Sequence, residues 1–179
     1  MSKEINLQYV IFQIGDEEYG VDIMLVQEIV RYQKLTTVFN ANPAIRGIMN
    51  FRGKIIPVID MRRKFNLPEI EYDPYAVVII IEFAQKTMGL VVERVLDIVE
   101  LGQQQIQAID QEFAEDIMAE HIDAMANFEQ RIIMLLDPKR VMSFEEYRMI
   151  KEVVEYGESE GYTVHNELDE QTKLERAIE

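Results

Sequence analysis

A weak internal duplication is the feature that most restricts how this chain can fold. Residues 20–30, GVDIMLVQEIV, match residues 89–99, GLVVERVLDIV, at one constant offset, and each copy follows a β-rich run. Later, residues 55–60, IIPVID, are echoed by residues 132–137, IIMLLD. Two matches in the same order are hard to explain by chance apolar alternation. They predict a mainly β protein in which two similar small barrels, each with little core of its own, pack side by side.

The segment from Ile45 to Asp60 is the clearest local element. Two apolar runs flank the polar tip at 50–54, NFRGK, and Gly53 tolerates the positive φ that a tight turn needs. The segment is therefore predicted to be a β-hairpin that holds Arg52 away from the core. Pro57 lacks a backbone N–H, which favours an edge position or a bulge near it. On this pattern alone, Arg52 suits either a solvated turn or a contact with a partner.

Shorter elements surround the hairpin. Asp22 is predicted to cap a short helix that starts at Ile23 and makes apolar contacts through Leu25, Val26, Ile29 and Val30. Residues 61–65 are predicted to be a brief helical or coiled connector. The near-continuous apolar run from Tyr75 to Phe83 predicts a strand that is buried on both faces.

The second half of the chain is less clearly patterned. The segment 103–125 is glutamine-rich and then acidic, and it is interpreted as loop with some helix. Residues 132–136 are predicted to form a strand, and the chain is predicted to be helical from Asp137 onward. Beyond Tyr156 the sequence is polar and acidic, which is typical of a frayed or disordered tail.

Charge and residue usage exclude several classes of function. With 18 Lys and Arg against 33 Asp and Glu, the formal charge of −15 argues against binding to nucleic acid or to anionic membrane surfaces. The chain has no cysteine, which excludes disulfides, thiolate nucleophiles and cysteine–zinc sites. The N-terminus lacks the apolar core of a signal peptide, and no apolar run is long enough to span a bilayer. We expect a cytoplasmic protein without direct membrane insertion.

A search for catalytic constellations finds none. No serine lies in a G-x-S-x-G elbow, and the two histidines, His121 and His165, lack the spacing of metal ligands. Glu112, Asp116 and Glu120 would share one face of a helix, but a solvated acidic face explains them because no calcium-loop glycine accompanies them. The sequence therefore predicts a binding protein that is not an enzyme and that has no cofactor and no metal.

Several motifs, kept in order, resemble the CheW-like adaptor family of bacterial chemotaxis. They are GDEEYGVDI at 15–23, VQEI at 26–29, GIMNFRGKIIPVID at 47–60, VVII in the run after Tyr75, and MGLVVERVLDIV at 88–99. The resemblance covers about residues 8–143 and implies two SH3-like five-stranded β-barrel lobes with short helices. The implied division is a lobe at about 15–75, a lobe at about 76–137 with the N-terminal strand packing between them, and a C-terminal helix and acidic tail at 144–179.

The resemblance also implies a function and a site. A stand-alone adaptor of this family couples the cytoplasmic tips of chemoreceptors to the histidine kinase CheA, whose regulatory domain has the same fold. The residues expected in or beside the receptor-binding region are Val26, Glu28, Ile29, Gly47 and Arg52, with Val95, Ile98 and Val99 as the wall from the opposing lobe. Gly47 would allow a turn or a close backbone approach, and Arg52 would offer a charged hydrogen-bond donor.

Alternatives stay open at this point. Val26 and Val95 also suit ordinary core positions. An adaptor of another chemosensory-type pathway, governing surface motility or differentiation, would carry the same motifs, and a small-ligand binder or enzyme on a β-barrel is a further possibility. The chain departs from the family at Ala124, where many members have glycine, so the second lobe is expected to differ near residues 125–128.

Overall fold

Strands make up most of the secondary structure in the computed structural model, which describes residues 5–38, 42–109 and 119–159. The strands within these ranges are β1 (Leu7–Ile14), β2 (Glu17–Asp22), β3 (Val26–Arg31), β4 (Ile45–Phe51), β5 (Lys54–Asp60), β6 (Val77–Phe83), β7 (Lys86–Val92), β8 (Arg94–Leu101), β9 (Ile106–Ala108), β10 (Ile122–Phe128) and β11 (Arg131–Leu136). The helices there are α1 (Met61–Lys64), α2 (Pro138–Val141) and α3 (Phe144–Ser159).

The described strands form two sheets. One has six strands in the order β8-β1-β2-β11-β10-β9, and the other has five in the order β3-β6-β7-β5-β4. β2 and β11 run parallel, as do β5 and β7, while the other neighbours are antiparallel. The predicted mainly β fold with two lobes is confirmed, and β9 is the strand that gives one sheet a sixth member.

The two sheets repeat one another, but each contains a hairpin from the other half of the chain. The strands β1, β2, β3, β4 and β5 correspond in order to β6, β7, β8, β10 and β11, and exchanging each strand for its counterpart turns one strand order into the other. The hairpin β1–β2 nevertheless pairs with β8 and β11, and the hairpin β6–β7 pairs with β3 and β5. The expected boundary between 15–75 and 76–137 therefore does not coincide with the division into sheets. A sequence repeat does not specify which copy's hairpin completes each sheet.

Three clusters of buried side chains hold the sheets. Val10 and Phe12 of β1 and Ile79 of β6 belong to a cluster that both sheets share, which we call the shared core. The alternate residue Ile11 belongs to a cluster within the six-stranded sheet, and Ile80 to one within the five-stranded sheet. Because successive side chains of a strand point to opposite faces, β1 and β6 are buried on both sides. The predicted burial on both faces is therefore confirmed for residues 78–81, whereas Tyr75, at the start of the predicted run, precedes β6 and is 70% exposed.

Both four-residue helices follow an aspartate, which is the last residue of β5 in one case and the residue after β11 in the other. The carboxylate of Asp60 accepts a hydrogen bond from the backbone N–H of Arg62 at 3.0 Å, and that of Asp137 accepts one from the N–H of Lys139 at 3.0 Å. These are N-cap bonds, which satisfy backbone donors of the first helical turn. The helices predicted after both aspartates are confirmed, and α3 then packs against the shared core through Tyr147.

Two predicted helical stretches are only partly right. Asp22 caps a short helix that starts at Ile23, as predicted, by accepting a hydrogen bond from the N–H of Met24 at 2.9 Å. The helix is a single 3₁₀ turn, Ile23–Leu25, and the residues from Val26 form a strand because β6 supplies their backbone partners. The segment 103–125 holds β9 and the start of β10, whose alternate residues are buried against the interior of the six-stranded sheet. Residues 110–118 of that segment lie outside the described residues. Of the tail predicted to begin after Tyr156, residues 157–159 form the end of α3, and the remainder lies outside the described residues.

Pro57 lies in an internal strand, so the predicted edge position is wrong. The missing N–H of Pro57 costs no hydrogen bond there. The N–H of Asp60 donates to the carbonyl of Ala44, on the β4 side, and N–H directions alternate along a strand. The nitrogen of Pro57 therefore points toward β7, just before the pairing with β7 begins at Val58. A register shift in β4 at 45–47 supplies the bulge that was also predicted nearby.

Candidate partner-binding site

The tip of the hairpin β4–β5 is a two-residue turn made by Arg52 and Gly53. Both residues have positive φ, 51° and 80°, which is the backbone geometry of a type I′ hairpin turn. The side-chain oxygen of Asn50 accepts a hydrogen bond from the N–H of Gly53 at 3.0 Å and closes the turn. The predicted hairpin is confirmed, and its geometry directs the chain so that Arg52 stands at the outermost point.

The side chain of Arg52 lies between an acidic and an aromatic neighbour. Its Nη2 is 3.4 Å from Oε2 of Glu28 on β3, and its guanidinium carbon lies 4.8 Å from the ring centroid of Phe51. The side chains of Arg52 and Glu28 are 66% and 44% exposed. β3 and β4 are the two edge strands of the five-stranded sheet, so this ion pair connects opposite edges. Phe51 was not predicted as part of the site.

Gly47 permits a close backbone approach, as predicted. A Cβ atom at this position would lie 2.5 Å from the carbonyl oxygen of Thr36 and 2.8 Å from Cβ of Leu35. The segment that follows β3 makes an isolated antiparallel bridge with β4 here, with the N–H of Ile48 donating to Thr36 at 2.9 Å. Gly47 therefore lets the segment after β3 pair with β4 below the hairpin tip. This bridge, like the ion pair of Arg52 and Glu28, connects the two edges of the five-stranded sheet.

β3 presents both polar and apolar side chains at the edge of its sheet. Glu28 is exposed, Ile29 is 39% exposed, and Val26 is partly buried against the shared core. Beyond Val26 toward the N-terminus, the side chain of Met24 is 81% exposed. β3 therefore offers a partner the exposed apolar side chain of Ile29 and the charged pair that Glu28 forms with Arg52.

The second predicted wall, on β8, divides into core and surface. Val95 is partly buried and packs against the shared core, as Val26 does. Ile98 is 54% exposed, and Leu96 beside it is 40% exposed. Val99 is only 4% exposed and lies in the interior of the six-stranded sheet. The prediction that Val99 faces a partner is therefore wrong, because a bulge in the pairing of β1 with β8 and the strand alternation turn its side chain inward.

A polar cluster that was not predicted lies under the hairpin. Asp60 is buried; its carboxylate accepts a hydrogen bond from the hydroxyl of Tyr72 at 2.8 Å and lies 3.4 Å from Nη1 of Arg46. Nε of Arg46 donates to the hydroxyl of Tyr32 at 3.0 Å. Burial, together with the charge of Asp60, raises the pKa of Tyr72. Burial opposes the charge on Arg46, but the hydrogen bond with Tyr32 and the charge of Asp60 raise its pKa.

These four residues keep the base of the hairpin in one arrangement, because a buried carboxylate is tolerated only where donors surround it. They come from β5, β4, the segment after β3 and the loop after α1. Their wide separation in sequence follows no helical or strand period, so only the N-cap pattern at Asp60 could have drawn attention to the cluster.

Among the residues that the structure describes, no group of three His, Asp or Glu side chains is placed to hold a metal ion. Glu112 and Asp116 of the predicted acidic face lie outside those residues. None of the described helices combines the length and apolar character needed to cross a bilayer. The site offers one exposed ion pair, backbone groups of an edge strand and apolar surface.

Comparisons with known proteins agree with this arrangement. A family model described as the CheW-like domain matches residues 8–146. Chemotaxis protein CheW of Klebsiella aerogenes is 36% identical over 149 residues, which are 83% of this chain and 89% of the relative. The same-named protein of Bacillus subtilis is 29% identical over 136 residues, 76% of this chain and 86% of the relative. The crystal structure of scaffolding protein TtCheW from Thermoanaerobacter tengcongensis gives a TM-score of 0.72 at 25% identity and covers 79% of this chain and 96% of that one.

Proposed function

The chain belongs to the CheW-like domain family, and we propose that it is a non-enzymatic chemotaxis adaptor that holds a chemoreceptor tip and the histidine kinase CheA together. Relatives named chemotaxis protein CheW and a structural neighbour named a scaffolding protein support the scaffold role. Such an adaptor passes a signal through the way in which two partners are held, with no reaction on its own residues. The proposal puts the protein in the cytoplasm, associated with receptor arrays through its partners.

The exposed pair of Glu28 and Arg52 carries the receptor part of the proposal. An ion pair this exposed contributes at most about 1 kcal/mol to folding, so stability does not account for it. Ile29 supplies apolar surface on the same strand. A receptor tip is a helical hairpin, and an amphipathic helix can set apolar side chains on Ile29 while a carboxylate or carbonyl accepts hydrogen bonds from Arg52.

The other predicted residues have distinct parts in this proposal. Val26 and Val95 pack against the same core and set the spacing of their strands, and Ile98 offers exposed apolar surface on β8. Gly47 acts through the bridge below the hairpin tip, by positioning Arg52 relative to β3. Val99 supports β8 from the interior without touching a partner.

We propose that CheA is bound through its regulatory CheW-like domain. An adaptor that holds both partners at once needs separate surfaces for them. The kinase would therefore contact parts of the two sheets away from β3 and the hairpin tip.

The test is a binding experiment with two purified partners. Wild-type protein is passed over an immobilised receptor-tip fragment and, separately, over the regulatory domain of a CheA kinase. We expect wild type to bind both, and Arg52→Ala to lose at least tenfold in receptor affinity, about 1.4 kcal/mol, while its kinase affinity is unchanged. Its free energy of unfolding should fall by less than about 1 kcal/mol.

Arg131→Ala is the matched control. Arg131 also pairs with a carboxylate, Glu18 at 3.2 Å, and lies over an aromatic ring, Phe128 at 5.5 Å, but it belongs to the six-stranded sheet. It should leave receptor binding unchanged. Equal losses from both variants would remove the special role of Arg52, and failure of wild type to bind either partner would leave a shared fold without the shared function.

A further inference from the structure

A groove lies between helix α3 and the turn that joins β6 to β7. The turn consists of Ala84 and Gln85, and the groove encloses about 410 Å³. Its lining is formed by Ala84, Gln85, Lys86, Phe144, Tyr147, Arg148, Lys151, Glu152 and Glu155. None of these residues belongs to the proposed receptor site, so the groove needs its own explanation.

Aromatic side chains form one wall of the groove. Phe144 is 65% exposed, although a large apolar side chain is normally buried. Tyr147 is buried and its hydroxyl accepts a hydrogen bond from the backbone N–H of Thr87 at 3.3 Å, which attaches α3 to β7. The wall is therefore held in place before anything binds, which lowers the entropic cost of binding.

Cationic side chains lie over these rings. Nζ of Lys86 is 4.8 Å from the ring centroid of Phe144, and Nζ of Lys151 is 5.5 Å from that of Tyr147. Among the described residues, neither lysine forms an ion pair, whereas Arg148 pairs with Glu152 at 3.7 Å. No lysine among the described residues forms an ion pair, so what distinguishes Lys86 and Lys151 is that both lie over aromatic rings of one groove. With Arg148, Glu152 and Glu155 also in the lining, the groove carries three cations against two carboxylates in a chain whose formal charge is −15. The two lysines provide donors for an acidic ligand.

The chain itself contains a segment of matching chemistry. Residues 160–179 carry six carboxylates and only two cations, Lys173 and Arg176. Within the segment, the stretch 167–170, ELDE, places one apolar side chain, Leu168, among three carboxylates. An apolar group flanked by carboxylates suits an aromatic wall flanked by ammonium groups.

The segment is also long enough to reach the groove. From Ser159 back to Arg148, α3 extends about 17 Å at 1.5 Å per residue. The nine residues from 160 to Leu168 can span about 30 Å when extended. Attachment to α3 raises the effective concentration of the segment at the groove to the millimolar range, so that a weak contact would be populated.

We propose that the groove between the β6–β7 turn and α3 binds the acidic stretch 167–170 of this chain. The carboxylates pair with Lys86 and Lys151, and Leu168 packs on Phe144. The contact gives the acidic C-terminal segment a binding role that the adaptor function does not require, and it covers the exposed ring of Phe144.

Paramagnetic relaxation enhancement on the full-length chain tests the proposal. Because the chain has no cysteine, Asn166→Cys provides a single attachment point for a nitroxide next to the acidic stretch. We expect strong broadening of the amide signals of residues 84–87 and 147–151, and little at β10. At about 1 M salt, where charges are screened beyond about 3 Å, the broadening should largely disappear.

Charge reversal supplies the control. Lys86→Glu with Lys151→Glu should reduce the broadening at the groove to the level at β10, while Lys34→Glu with Lys54→Glu, two exposed lysines elsewhere, should leave it unchanged. Amide spectra of each variant establish that it is folded. Absence of broadening at the groove, or broadening that survives the groove reversal, would overturn the proposal. So would broadening seen only when spin-labelled and isotope-labelled copies are mixed, because the contact would then be between molecules.

Discussion

The two copies of the repeat share one backbone framework. In the first copy the N–H of Asp60 donates to the carbonyl of Ala44 at 2.8 Å, and in the second the N–H of Asp137 donates to that of His121 at 2.9 Å. The parallel pair of β5 with β7 corresponds to that of β11 with β2. The side chains on this common framework differ between the copies, and the differences show which residues belong to the candidate site.

The hairpin tips show the difference most clearly. In the first copy Arg52 at the tip meets Glu28 on the edge strand. The offsets that relate the repeated segments put Glu129 and Asp97 at the corresponding positions of the second copy. Two carboxylates repel one another and cannot form an ion pair. Duplication has kept the framework in both copies, while the exposed pair of the candidate site belongs to one copy alone.

A second difference lies at the bulge of each hairpin. Gly47 and Ala124 both occupy the register shift near the start of the hairpin. A Cβ at Gly47 would meet the carbonyl of Thr36, whereas Ala124 pairs with Ala108 in the three-residue strand β9. Regular strand spacing accommodates a Cβ, and the closer isolated bridge does not. The alanine that departs from the family pattern is thus compatible with its surroundings.

The largest effect is expected at two neighbours on β8. Val99→Asp would place a carboxylate in the interior of the six-stranded sheet and should cost more than about 3 kcal/mol of unfolding free energy. Ile98→Asp, at a side chain that is 54% exposed, should cost less than about 0.5 kcal/mol. Urea denaturation measures both. Similar losses would mean that β8 does not divide into core and surface as described.

The bulges give the next largest contrast. Gly47→Ala should cost about 1–3 kcal/mol, because the new methyl group meets backbone atoms that cannot move aside cheaply. Ala124→Gly should cost only about 0.5–1 kcal/mol, from the greater backbone entropy of glycine. Thermal unfolding followed by circular dichroism shows which of the two variants loses more stability. The reverse order would show that the close approach to Thr36 is unimportant.

A smaller effect, of opposite sign, is expected in the shared core. Tyr19 is fully buried between the rings of Phe12 and Phe65, and its hydroxyl has no hydrogen-bond partner among the described residues. The repeat puts Met88, which has no such donor, at the corresponding position. Tyr19→Phe should raise the free energy of unfolding by about 1 kcal/mol, because an unsatisfied donor is removed. A loss in urea denaturation would mean that the hydroxyl is satisfied.

The smallest effect concerns His121, whose counterpart in the repeat is Ala44. Burial lowers the pKa of His121, opposed by its ring nitrogen's hydrogen bond with the carbonyl of Arg140 at 2.9 Å. The nearby charges of Lys64 and Glu120 act in opposite directions. With its pKa lowered in the folded state, the unfolded state binds more protons as the pH falls below about 6.5, so stability decreases.

His121→Ala should therefore flatten the pH dependence of the melting temperature between about pH 7 and 5, apart from a pH-independent loss of packing. Ala44→Gly, at the corresponding position, should leave the slope as in wild type. Parallel profiles for wild type and His121→Ala would contradict the assignment.

Features specified by neighbouring residues were predictable. The Arg52–Gly53 turn follows from the conformational freedom of glycine between two apolar runs, and the helix caps follow from an aspartate at the end of a strand. The exposure of Arg52 followed from the hairpin as well, whereas the close approach at Gly47 was implied by the resemblance to the family. The segment 103–125 was missed because its polar composition hides the alternation of β10, which tertiary pairing with β9 and β11 stabilises.

The sequence by itself determined a duplicated, mainly β chain, its hairpins and its capped helices, because these depend on residues a few positions apart. Only the tertiary structure decided that the hairpins β1–β2 and β6–β7 each join the sheet of the other half of the chain. It also decided that Val99 is buried in the core and that Arg46 and Tyr72 contact the carboxylate of Asp60. The apolar faces of the two copies are chemically alike, so local pattern cannot select between them. Which hairpin completes each sheet depends on how all the apolar faces are buried together, and this burial is a property of the whole fold.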